Sequence, residues 1–110
     1  MIEVKYCRHH NSVTVTGHAQ SGEVGHDLVC ASASILVYTL ASFVENMVEA
    51  KQLSDVSGFF LVVEEGNAWI ECDPPREFKP AITLVFDSIC AGFELLARNY
   101  PDNISYEMKQ

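Results

Sequence analysis

Positive charge is scarce in this sequence. Seven Lys and Arg face fifteen Asp and Glu across 110 residues, for a net charge of -8. A nucleic-acid binder presents a basic face, so this balance argues against one. Paired cysteines are also missing. Cys7, Cys30, Cys72 and Cys90 form no CxxC motif. The sequence opens without the basic and then apolar stretch of a secretion signal, so the expected setting is the reducing cytoplasm, where thiols stay free. Repeats, linkers and low-complexity tracts are lacking as well. With 48% apolar residues the chain is too hydrophobic to stay disordered. One domain spanning 1–110 is expected. Area scaling gives it a folded surface of roughly 6,000 Å² against about 17,700 Å² unfolded, enough burial for a core without staples.

Charge is absent altogether from Leu28 to Val44, 17 residues that approach the lower limit for a membrane span. Ser32, Ser34, Thr39 and Ser42 dilute this run, and its flanks are the acidic Asp27 and Glu45. A transmembrane helix is normally flanked by Lys or Arg on one side. A buried core helix is the better reading, and no membrane partner is expected.

What is present reads as ββαββαβ. Ile2, Val4 and Tyr6 alternate with Glu3, Lys5 and Cys7, the period of a half-buried strand. After the polar group Arg8 to Ser12, the β-branched run Val13 to Thr16 completes a hairpin. Asp27, a preferred N-cap, opens a helix from Leu28 to about Lys51. That helix is apolar on nearly every side at its start, so it is buried or covered by a second subunit. Phe59 to Glu64 and Ala68 to Cys72 are strands about the Gly66-Asn67 turn, stopped by Asp73-Pro74-Pro75. A second helix begins near Pro80. Ile82, Val85, Phe86, Ile89, Cys90, Phe93, Leu96 and Ala97 give it a single apolar face. Ile104, Tyr106 and Met108 alternate as a last strand. The expected fold is α+β: about five strands covered by two helices in two layers.

Chemistry concentrates between Gly17 and Ser34, GHAQSGEVGHDLVCASAS. A glycine-rich loop joins a strand end to a helix start and carries two histidines, a carboxylate and a cysteine. With Asp27 as cap, Cys30 falls in the first helical turn, where free N–H groups and the dipole favour a thiolate. The dipole contributes about 0.3–1 kcal/mol, at best ~2, little more than one pKa unit for a thiol. A dependable thiolate therefore needs a second cation. His18, placed after Gly17 at a strand end, supplies it better than His26, whose ring is free to point to solvent beside the cap. His9 and His10 belong to a solvated turn. Cys7, Cys72 and Cys90 read as small apolar fillers. Cys30 reads equally as filler or nucleophile on these grounds alone, and Asp27 as helix cap or histidine orienter.

Zinc held by His18, His26, Cys30 and Cys7 or Cys72 is the rival chemistry, but no tight ligand pair is present, so no metal and no cofactor are expected. A phosphate cradle is disfavoured by Glu23 and Asp27. Between residues 31 and 75, seven carboxylates face Lys51 alone. This is either a solvated face or a surface that attracts a basic partner.

The 17–34 stretch resembles the signature of the ribosomal-processing cysteine protease (Prp) family, G-H-A…G-x-D-[IV]-V-C-A…S, with Leu28 standing where Ile or Val is usual. Length, acidity and element order fit the same family. The resemblance implies a homodimeric cytoplasmic endopeptidase that removes a short N-terminal extension from a large-subunit ribosomal protein. It implies Cys30 as nucleophile and His18 as general base, with Gly17 and Asp27 in support. Ser34 would contact the peptide, and Gly22 and Gly25 would lie in a substrate-admitting loop. A non-enzymatic, ribosome-associated binding module with an acidic face is the alternative.

Overall fold

The structure, a computed structural model, describes residues 1–18, 26–50 and 58–110. Strand β1 (Ile2–Cys7) buries Ile2, Val4 and Tyr6 and exposes Glu3 and Lys5, as the alternation requires. Its hairpin partner β2 (Ser12–Thr16) buries Val13 and Val15. The turn between them ends at Asn11, whose φ of 47° is one that asparagine tolerates better than most residues. Asn11 is fully buried. Its Nδ2 donates to Thr83 Oγ1 at 3.0 Å, and its Oδ1 accepts from Lys79 Nζ at 2.6 Å. A buried amide satisfied in this way ties the hairpin to the second helix.

Helix α1 (His26–Glu49) follows, then the hairpin β3 (Phe59–Glu64) and β4 (Asn67–Cys72), helix α2 (Lys79–Asn99) and β5 (Ile104–Lys109). The expected ββαββαβ order holds, and the sheet order is β3-β4-β2-β1-β5. All neighbours are antiparallel except β1 and β5, which run parallel from Ile2 opposite Ile104 to Cys7 opposite Lys109.

Both helices bury a stripe against one face of this sheet. Val29, Ala33, Val37, Leu40, Ala41 and Val44 do so on α1, and Ile82, Phe86, Cys90 and Phe93 on α2, at helical spacing. Burying each large side chain contributes about 1.5–3 kcal/mol. Gly92 lets the helices approach closely, because a Cβ there would meet Leu36 Cδ2 at 2.9 Å. On the other sheet face Phe60 and Trp69, both exposed, meet with their rings tilted by 58° and their centroids 4.8 Å apart. The molecule accordingly exposes 6618 Å², somewhat more than the scaling expectation.

One expectation about α1 is corrected. The helix starts at His26, so Asp27 lies inside the first turn rather than capping it. A carboxylate there still complements the dipole. Leu28, Ile35 and Tyr38 put apolar side chains on the outward side of this helix as well, and are 54%, 61% and 59% exposed in the single chain. Both α1 and α2 are long and apolar enough to cross a membrane by length and composition, and each packs one face on the sheet. The expected end near Lys51 falls outside the described residues, as do Gly22 and Gly25.

Candidate active site

Strand β2 delivers the first half of the motif. Its end is marked by Gly17, whose φ of +91° strains any L side chain and whose Cβ would run into the carbonyl oxygen of Met1. The Gly17 amide donates to the Gly66 carbonyl at 3.0 Å. Strand β2 is thereby tied to the turn joining β3 and β4. Glu64 pairs with Asn67, so that turn is the two residues Glu65 and Gly66. Gly66 takes a φ of +73° at the second turn position, where glycine is favoured. His18, exposed, follows Gly17 directly and rests its imidazole on Gly66.

Helix α1 delivers the second half. Cys30, Ala33, Ser34, Val37 and Tyr38 are spaced to fall on one helical face, and all five line a cavity of about 380 Å³. Ile2, Val15, Val63 and Ala68 form its apolar walls, while Gly17, Glu64, Glu65, Gly66 and Asn67 form its polar edge. Cys30 is half-buried. It sits where a peptide carbonyl could reach it, with Ser34 one helical turn further along. His18 stands beside two residues of the same edge, Gly17 and Gly66. The structure thus brings Cys30, Ser34 and Gly17 to one cavity and His18 to its margin. Asp27 is exposed in the first turn and is not part of the cavity wall.

The start of α1 at His26 makes Cys30 the fifth helical residue, beyond the first turn expected for it. In such a helix the amide of residue 30 bonds back to the carbonyl of residue 26. Donors for an oxyanion are therefore left to the amides of the first turn.

The remaining cysteines are placed away from this chemistry. Burial pushes the thiols of Cys72 and Cys90 up to about 12. Cys7 ends β1, at the opposite end of that strand from the cavity-lining Ile2. Among the described residues no group of three His, Cys, Asp or Glu is placed to hold a metal ion. The reading from sequence missed the β3–β4 wall, Val63 to Ala68. The Gly66-Asn67 turn signal was visible, but nothing local tied it to Cys30.

A family model for the cysteine protease Prp matches residues 1–105. The chain belongs to this family. It is therefore a cysteine peptidase, a hydrolase, and not the non-enzymatic module weighed as the alternative. Solved structures share its fold. The essential ribosomal processing protease Prp from S. aureus in complex with a substrate peptide has a TM-score of 0.69 at 21% identity, covering 99% of this chain and 100% of that one. The same protease with a covalently linked product peptide gives 0.71 at 22% identity, with the same coverage. SMU.848 from Streptococcus mutans gives 0.66 at 26% identity, over 97% of this chain and 94% of that one. A search of the curated proteins finds no match. The Prp family match spans both hairpins and both helices, so every cavity-lining residue lies within it.

Proposed function

We propose that this Prp-family peptidase removes the short N-terminal extension of a large-subunit ribosomal protein, with Cys30 as nucleophile and His18 as general acid and base. The observation that carries the proposal is the cavity itself. Cys30 and Ser34 lie on its helical wall, and the His18 ring rests on Gly66 of its polar edge. The S. aureus relative, named a ribosomal processing protease and solved with substrate and covalently linked product peptides, supports the substrate class.

In this reading the Cys30 thiolate attacks the scissile carbonyl, forming the carbon–sulfur bond of a tetrahedral adduct. First-turn amides of α1 bind its oxyanion. Collapse breaks the carbon–nitrogen bond, and His18 gives its proton to the leaving amine. His18 then takes a proton from water, whose hydroxide displaces the sulfur and restores the enzyme. Glu64 and Glu65 at the edge favour a basic peptide, an attraction that added salt weakens. Ser34 contacts the peptide backbone, and Gly22 and Gly25 take part in substrate binding. Asp27 supports the start of α1.

The chain acts in the cytoplasm as a homodimer, the exposed Leu28, Ile35 and Tyr38 of α1 being covered by a second copy. The test incubates the extension peptide with wild type, Cys30→Ala and His18→Ala. Cleavage is expected to vanish in the first variant and to fall by about a hundredfold or more in the second. Cleavage that survives loss of Cys30 would end the proposal.

A further inference from the structure

Gly66 lies on a different hairpin from His18, yet it is the residue on which the imidazole rests. A Cβ built at position 66 would meet His18 Nε2 closer than any non-bonded contact allows, with Cε1 at 2.8 Å and Cδ2 at 3.4 Å. The three nearest atoms all belong to that one ring. The backbone beneath is not free to yield. The Gly66 carbonyl accepts the amide of Gly17 at 3.0 Å, and Gly17 is the residue just before His18. The main chain of His18 is thus tied to the turn through Gly17, while its ring occupies the space that any side chain at 66 would need.

We infer that Gly66 is a positioning residue for this peptidase. Its missing side chain is the seat that holds the His18 ring at the edge of the cavity that Cys30 lines. The inference rests on His18 as the general acid and base. It explains why a glycine stands at this turn beyond the demand of its φ of +73°. Asparagine tolerates such a φ but brings a Cβ to the same place. The exposed ring then swings away at little cost in stability. A proton donor displaced by about 1 Å loses about a hundredfold in rate. The fold survives while turnover falls.

The experiment makes Gly66→Asn and Gly66→Ala in the full chain, with His18→Ala alongside, and measures kcat and KM on the extension peptide, thermal unfolding, and the His18 ring signals by NMR. Both Gly66 variants are expected to lose about tenfold or more in kcat. KM should stay near the wild-type value, and the His18 signals should shift toward those of the solvated His9 and His10. Gly66→Asn is expected to unfold close to the wild-type midpoint. Wild-type kcat in both variants, with His18→Ala inactive, would overturn the role of Gly66 and leave the cysteine–histidine reading standing. Wild-type kcat in His18→Ala would remove that reading and the role of Gly66 with it. Lost turnover with unmoved His18 signals would assign the effect to the turn alone and overturn the inference. Should either variant fail to fold, an Overhauser contact between the Gly66 Hα and the His18 Hε1 in wild type decides, its absence overturning the inference.

Discussion

The amide of Gly17 donates to the carbonyl of Gly66 at 3.0 Å, joining the end of β2 to a turn almost fifty residues later in the chain. This one bond sets where His18 emerges relative to the cavity. Gly17→Ala puts a Cβ onto the Met1 carbonyl and an L side chain at a φ of +91°. It is expected to cost about 1–2 kcal/mol from the backbone conformation alone, or roughly 4–8 °C in midpoint for each kcal/mol. Turnover should fall further than that loss explains. Denaturant unfolding and peptide cleavage, measured on the same preparation, separate the two effects.

A second expectation concerns pH. Arg8 holds Asp87 through Nε to Oδ1 and Nη2 to Oδ2, both at 3.1 Å, and the Tyr6 hydroxyl donates to Oδ1 at 2.8 Å. The Arg8 hydrogen bonds lower the Asp87 carboxyl below its ordinary range, and burial holds the Tyr6 phenol well above its own. A carboxylate whose folded pKa is depressed stabilises the protein above its unfolded value of about 3.9, and that contribution is lost as pH falls through the folded value. Asp87→Asn should therefore be less stable than wild type at neutral pH. The gap should close in acid. Urea unfolding of both proteins from pH 7 downward checks this, and a gap that stays constant would contradict it.

Thiol accessibility offers a third check. With Cys72 and Cys90 pushed up to about 12 by burial, both remain protonated at neutral pH, and both are buried. The thiolate is the species that alkylates. Brief iodoacetamide treatment of the folded protein should label Cys30 and Cys7, both half-buried, and spare Cys72 and Cys90 until urea is added. Peptide mapping by mass spectrometry reads the order. Early labelling of Cys90 would contradict the packing of α2.

Association state follows from α1. Ile35 and Tyr38 are 61% and 59% exposed, three residues apart on one helical face. If a second copy covers that face, Ile35→Glu and Tyr38→Glu should shift the sedimentation mass from dimer to monomer. Helix content should be unchanged. Since Tyr38 also lines the cavity, KM is expected to rise in the second variant. A wild type that sediments as a monomer would remove the dimer proposal.

Much of this fold was legible residue by residue. The alternation of Ile2, Val4 and Tyr6 against Glu3 and Lys5 reports a half-buried strand, and the spacing from Ile82 to Ala97 reports a one-faced helix, because both periods are local. Sheet order was not legible. The parallel pairing of β1 with β5 joins Ile2 to Ile104, and no local period reports which distant strand supplies a partner. The start of α1 was read two residues late because Asp27 is both a good cap and a good first-turn residue. Cys30, His18, Gly17 and Ser34 were singled out through one contiguous motif. Gly66 was not, because a two-residue turn looks alike in sequence whether or not a histidine rests on it.

The most direct test of the central claim is to stop the reaction in acid within a single turnover and weigh the intact protein. A thioester through Cys30 predicts a transient species heavier by the acyl part of the extension peptide, with the added mass mapping to the Cys30 fragment and absent from Cys30→Ala. Cleavage that proceeds with no such adduct, or with the adduct on another residue such as Cys7, would contradict the account.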